Sequence, residues 1–288
     1  MSAATMIEPV NAMHAARTPW HARLALRFEH RDARTVLVHR AHEGPLVVQK
    51  PLYPEGDAVC QCIVIHPPGG IAGGDRLELE IEAGADAIAQ LTTPGAAKWY
   101  RAGGHEAVAH TRIRAHAGAL VEWMPQGNIA FRGAQARAGL QVDLLGNARY
   151  IGWDVMCLGR TASAEIFDAG TWRQRVDVRR DDALIWSERA VVEGAAPALN
   201  SLSGLNGAPV FGTLLAVADV IDDSLLAACR GVAPTSGDGV VTRFPGVLVA
   251  RYRGHASAAA QAWFAALWSL LRPALAGRLA VSPRIWNT

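Results

Sequence analysis

Two thiols and an imidazole share one parity in the run Ala58-Val59-Cys60-Gln61-Cys62-Ile63-Val64-Ile65-His66. Successive side chains of an extended strand point to opposite faces, so Cys60, Cys62, Val64 and His66 fall on the same one. Sulfur and imidazole nitrogen together suit a soft or borderline divalent ion. A structural zinc site needs more, a second C-x-x-C or a paired His motif, and the chain has neither. The opposing reading is two small buried hydrophobes with a hydrogen-bonded His at the strand end.

His66 opens a second candidate, His66-Pro67-Pro68-Gly69-Gly70-Ile71-Ala72-Gly73-Gly74-Asp75. Glycine-rich loops after strands cradle phosphates with converging backbone N–H groups. The glycines here run G-G-x-x-G-G, which is not the dinucleotide spacing, and Asp75 stands where a phosphate loop requires Lys. An acid there repels the ligand, so the loop is expected to be a rigid turn with glycine at positions of positive φ. His105, His110 and His116 have no accompanying H-E-x-x-H, and Ser203-Gly204 is no G-x-S-x-G elbow. Glu122 and Asp154 each interrupt an apolar stretch. Buried carboxylates need a partner such as Arg or a hydrated passage, so they read as structural ion pairs or, alternatively, as part of an acidic path for a cation.

The elements that would hold these residues are mostly strands. In Arg76 to Glu82, Leu77, Leu79 and Ile81 face one way and Glu78, Glu80 and Glu82 the other. Similar alternation marks 35–38, 46–49, 59–65, 87–91, 111–114, 119–124, 140–144 and 150–156, and 172–178 and 184–189 flank a polar turn at Arg180-Asp181-Asp182. The stretches "IEAGADAI" (81–88) and "IRAHAGAL" (113–120) echo each other 32 residues apart, either as stacked strand–turn–strand units or as coincidence among alanine-rich turns. Asp222 or Asp223 is placed to cap a short helix ending at Gly231. A longer helix starts near Ser257 with Trp263, Leu267 and Leu271 in one row and Phe264 and Trp268 beside it, and Pro273 is expected to disturb it. The resulting expectation is a mainly β fold, a single domain of stacked strands in a β-helical or layered arrangement with a small C-terminal helical element, spanning 20–288 behind a flexible segment at 1–19.

Whole-chain properties narrow the classes. Of 288 residues 19% are charged and the net charge is +2, which excludes the concentrated basic footprint of a nucleic-acid binder. The longest apolar run, Ala258 to Leu271, falls short of the roughly twenty residues of a membrane span. The opening residues lack the basic start and apolar core of a secretory signal, and four scattered cysteines suit reduced thiols, so a cytoplasmic location is expected.

Several blocks together are more specific. "LVVQKPLYPEG" (46–56), "HPPGGIAGGD" (66–75), "LTTPGAAKWYR" (91–101), "EWMPQGNIAF" (122–131), "GWDVMCLGR" (152–160), "GAPVFGTLLA" (207–216) and the ending "LVARYRG…LRPAL…SPRIWNT" strongly resemble the family of urease accessory protein UreD, also called UreH. The resemblance runs from about residue 20 to the end. It implies a helical stack of strands with a small helical part, and a maturation factor rather than an enzyme. Such a factor binds apo-urease and, with UreF and the GTPase UreG, supports nickel insertion, with an internal passage for the metal and no tightly bound cofactor. Two positions depart from the family pattern, Gly127 where many members carry an acid and Asp154 where some carry Glu, so no ligand set transfers. Cys60, Cys62, His66, Asp75 and Glu122 stand as candidates for a nickel path. Two other readings remain beside this one: a metal-dependent hydrolase built on His66, Cys60 and Cys62, and a stand-alone nickel carrier.

Overall fold

The computed structural model describes residues 18–287. The expectation for 1–19 therefore falls almost wholly outside the described residues. In chain order the strands are β1 (His21–Arg31), β2 (Arg34–Glu43), β3 (Val47–Val48), β4 (Val59–Ile65), β5 (Arg76–Ala83), β6 (Ile88–Thr92), β7 (Ala97–Trp99), β8 (Ala107–Ala115) and β9 (Leu120–Met124). They continue with β10 (Asn128–Ala130), β11 (Gln135–Leu144), β12 (Arg149–Leu158), β13 (Thr171–Arg180), β14 (Ala183–Glu193), β15 (Val210–Val217), β16 (Asp238–Phe244) and β17 (Val247–Gly254). Two helices, α1 (Asp223–Arg230) and α2 (Ser257–Ala276), lie among and after the last strands.

These strands form two stacked sheets. The first has the order β14-β13-β11-β8-β5-β1-β2, and the second β16-β17-β15-β12-β9-β6-β4-β3, with the short β7 and β10 branching from β12. The middle of each sheet is parallel, and both sheets close in antiparallel hairpins or meanders. Each coil passes from the first sheet to the second through a tight turn: β5 to β6, β8 to β9, β11 to β12.

The 32-residue echo is the mark of those coils. Ile81 pairs in register with Ile113, and Ile88 with Leu120. A third turn, Leu145-Gly146-Asn147, stacks on the second, its Asn147 side chain accepting the Gly118 N–H at 2.7 Å. Each turn needs a positive φ, supplied by Asp86, Gly118 and Gly146. Because every coil covers the apolar face of its neighbours, the inward residues Leu79, Ile81, Ile113 and Val142 merge into one core.

The second sheet is covered on its outer face by α2. Trp263, Phe264, Leu267, Trp268 and Leu271 are fully buried there against Leu120, Ile151, Val155 and Leu214, each worth on the order of 2 kcal/mol over exposure. Helix α2 continues through Pro273 and ends only at Gly277, which has φ +64°. The disturbance expected at Pro273 is thus absorbed within the final turn, where Arg272 and Leu275 remain buried. The short helix α1 is capped as expected, Asp222 accepting the Leu225 N–H at 2.7 Å. The polar turn between β13 and β14 is a two-residue hairpin with Asp181 and Asp182 both at positive φ. No described helix is long and apolar enough to cross a membrane.

Candidate functional site

The loop from His66 to Asp75 is held by its last residue. Asp75 is fully buried and its carboxylate accepts the backbone N–H of Trp20 at 2.7 Å and of Ala72 at 2.8 Å. Gly73 is required by space, since a Cβ would sit 1.9 Å from the Ala102 carbonyl oxygen. The glycines thus let the loop pack against the 100–105 segment. His66, at the other end, is half-buried; burial holds its imidazole below the ordinary value, with Asp75 pulling the other way, so it is neutral at pH 7. Its Nε2 is buried without a hydrogen-bond partner among the described residues.

His66 lines a cavity of about 450 Å³ between the two sheets. The walls are largely apolar, formed by Leu77, Leu79, Leu140, Trp99 and Trp123, with small residues at Gly127, Ala138 and Gly139. Its polar lining includes Thr93, Lys98, His110, Thr111, Asn128 and Asp154. Asn128 donates to Asp154 Oδ1 at 2.7 Å and accepts from the Trp99 indole at 2.8 Å. Gln174 donates to Asp154 Oδ2 at 3.0 Å. No Arg, Lys or His among the described residues forms an ion pair with Asp154. Burial pushes its carboxyl up to about 6, against the pull of Asn128, the Val155 N–H and Gln174. A smaller pocket of about 20 Å³ continues past Asp154 to Gln174, Thr213 and Glu188, whose Oε2 is buried and unpartnered. Its other oxygen meets Arg251 at 3.1 Å.

The other sequence candidates lie elsewhere. Cys60 and Cys62 share one face of β4, as alternation requires, but that face is the core, and both thiols are wholly buried. They hydrogen-bond each other, and Tyr53 also bonds Cys60. The Cys62 bond is the main cause holding Cys60 below its ordinary value, while Cys62 is pushed up. Glu122 points to the opposite side of the second sheet, under α2. It accepts the Trp268 indole N–H at 2.6 Å, Arg272 Nε at 3.0 Å and Gln90 at 3.1 Å. Arg272, itself fully buried, continues to Glu55 at 2.6 and 3.0 Å and to the Leu279 carbonyl. Burial raises the Glu122 carboxyl and Arg272 opposes it. Among the described residues no group of three or more His, Cys, Asp or Glu is close enough together to hold a metal ion.

The structure therefore brings His66 and Asp75 together, seats the thiol pair in the core, and gives Glu122 an arginine partner. Arg272, Glu55, Asn128 and Gln174 were not singled out by sequence. Asp154 was, through the polar interruption of an apolar strand, although only as one of several acids.

A family model described as UreD urease accessory protein matches residues 21–287. A protein of Azoarcus sp. (strain BH72) named urease accessory protein UreD is 49% identical over 282 residues, covering 98% of this chain and 99% of that one. A protein of the same name from Dechloromonas aromatica (strain RCB) is 52% identical over 273 residues, 93% of this chain and 95% of its own. Another, from Nitrosococcus oceani, is 48% identical, covering 93% of this chain and 90% of the relative. With that likeness running through every coil of the sheets, the cavity between them and the helix that covers them, the chain belongs to the UreD family of urease accessory proteins.

Proposed function

We propose that this protein is a non-catalytic maturation factor in the cytoplasm that binds apo-urease and, with UreF and UreG partners, supports nickel insertion into the urease active site. The observation that carries the reading is likeness to urease accessory proteins at about half identity over nearly the whole length of both chains. The cavity between the sheets supports it. Nickel is the cargo, and neutral imidazole and carboxylate oxygen are donors it accepts. His66 offers an unpartnered Nε2, Asp154 a carboxylate held only by amide donors, and Glu188 a second free oxygen further along. With no group of three ligands among the described residues, the ion passes such donors one or two at a time and is not trapped. Apolar walls keep competing ligands sparse.

Deletion of the gene in its host tests this. Urease should still be made, as nickel-poor and inactive protein, and should recover with the plasmid-borne gene. Normal urease activity in the deletion strain would overturn the proposal. Purified protein that turns over esters or amides with stoichiometric zinc would favour the hydrolase reading, and tight nickel binding without any urease complex would favour the carrier reading.

A further inference from the structure

The chain continues past α2. Beyond Gly277, residues 278–287 return to the second sheet as a strap and finish in a turn of 3-10 helix at Arg284–Asn287. The Leu279 carbonyl accepts Arg272 Nη1 at 2.5 Å, while the Leu279 side chain is 79% exposed. Pro283 is buried, and its carbonyl accepts the Trp286 N–H at 3.1 Å. Trp286 then reaches into the sheet. Its ring centre lies 5.6 Å from that of Trp153 and 5.9 Å from that of Trp268, contacts of the offset and edge-on kind that aromatic pairs favour. Its indole N–H donates to Thr92 Oγ1 at 2.8 Å.

Thr92 is a junction. It is fully buried, and its hydroxyl donates to the Met124 carbonyl at 2.6 Å, which joins the last residue of β6 to the last residue of β9, its partner in the parallel register. Directly beyond these two residues the chain enters segments 93–96 and 125–127. Their Thr93, Pro94, Gly95, Ala96, Pro125 and Gly127 form one wall of the cavity. The two segments are tied to each other: the Gln126 N–H donates to Thr93 Oγ1 at 2.9 Å, and the Ala97 N–H to the Gly127 carbonyl at 2.9 Å. The tip of the first is thinly backed, since a Cβ on Gly95 would meet nothing within 4 Å. A segment with so little behind it takes its position from its ends, and Trp286 bears on the end at Thr92.

We infer that the strap positions the cavity wall: Trp286 pins the ends of β6 and β9, and through them holds segments 93–96 and 125–127 where the cargo ion passes. The cargo rests on the function proposed above; the hold rests on the hydrogen bonds and ring contacts. Trp286 is a positioning residue, acting from the side of the sheet that α2 covers. Trp268, which it packs against, also donates to Glu122 at 2.6 Å, so strap, helix and wall are joined as one unit. Releasing the strap frees the wall and leaves the core between the sheets in place.

Hydrogen–deuterium exchange of the full-length protein, read by mass spectrometry, tests the hold. Trp286→Ala should let the amides of 93–99 and 125–128 exchange about tenfold faster while those of β8 and β11 keep the wild-type rate. Trp286→Phe, which keeps a ring but no N–H, should fall between. Unchanged exchange in the wall overturns the inference. So does exchange that quickens equally throughout the chain, which would make Trp286 a general stabiliser. Should the Ala variant fold poorly, the Phe variant decides. The consequence for delivery is read in a deletion strain complemented with each variant. At low external nickel, urease should carry severalfold less metal with Trp286→Ala and an intermediate amount with Trp286→Phe. A loosened wall with wild-type nickel content overturns the role in delivery. Failure of the wild-type gene to restore urease overturns the proposed function, and the exchange rates still decide whether the strap holds the wall.

Discussion

Glu122 and Asp154 are carboxylates on adjacent parallel strands of the same sheet, and they meet opposite fates. Glu122 points outward beneath α2 and is matched by a guanidinium, an indole N–H and an amide. Asp154 points inward, receives two side-chain amide donors and no cation, and borders a cavity. Removing a charge from water is costly, so a fully sealed carboxylate needs an opposing charge, as Glu122 has, or backbone N–H donors aimed at it, as Asp75 has. A carboxylate left without one keeps its stability cost and its free capacity for a cation. The difference separates a residue that fastens the helix to the sheet from one that is available to a passing ion.

The largest effect is expected on the fastening side. Arg272→Ala leaves Glu122 and Glu55 facing each other without a cation, and breaking a buried pair in this way costs about 3–5 kcal/mol. Denaturant unfolding should show the loss directly. Arg272→Met combined with Glu122→Gln and Glu55→Gln should recover much of it, because a neutral, packed cluster no longer strands a charge. A single Arg272→Ala variant as stable as wild type would show that Glu122 is not the structural member of the comparison.

Asp154→Asn should act in the opposite direction on stability. Its folded pKa is raised from 3.8 to about 6, so the native state takes up the proton before the unfolded chain does. The contribution of this one group to stability is then greatest below pH 4, falls as pH rises between about 4 and 6, and stays lower above, by up to roughly 3 kcal/mol. Asn cannot ionise, so the variant should melt higher than wild type at pH 7.5 and converge with it near pH 4. Urease matured with this variant should contain less nickel. A variant that melts lower at pH 7.5 would mean that Asp154 is fastened as Glu122 is.

How far this contrast could be read beforehand differs for its two halves. The strands, their faces and the coil spacing were legible because period-two alternation and the echo at Ile81 and Ile113 are local or regularly repeated. The need of a buried Glu122 for an arginine was legible too, but not which one, since Arg272 lies 150 residues away and meets it only when α2 packs on the sheet. The flat stretches at β15, β16 and β17 carried little alternation because both faces of β15 and β17 are buried. The cavity itself was invisible: its lining comes from β4, β5, β8 and β11 and from the loops around Gly70, Ala96 and Gly127, and residues so far apart in sequence give no signal of a shared void.

Filling that void should uncouple transport from folding. Ala138 faces the cavity from β11, so Ala138→Phe has room to place its ring without displacing a neighbour, and its stability should change by less than about 1 kcal/mol. Urease activation should nevertheless drop severalfold in a strain complemented with this variant. Full activation with the ring in place would separate the cavity from the nickel path and leave Asp154 as an uncompensated acid without a role.

The smallest expected effect sharpens the comparison most. His66→Gln removes an imidazole whose Nε2 has no partner among the described residues, so no hydrogen bond at that atom is lost, and melting should stay within a degree or two of wild type. If His66 serves the ion and not the fold, its loss should be felt only where nickel is scarce: urease nickel content should fall at low external nickel and return to the wild-type level when nickel is abundant, since a weaker donor is compensated by mass action. A deficit that persists at high nickel would place His66 with Glu122, as part of the frame. The same nickel content at every level would remove it from the path and leave Asp154 and Glu188 to carry the cation past the amides of Asn128 and Gln174.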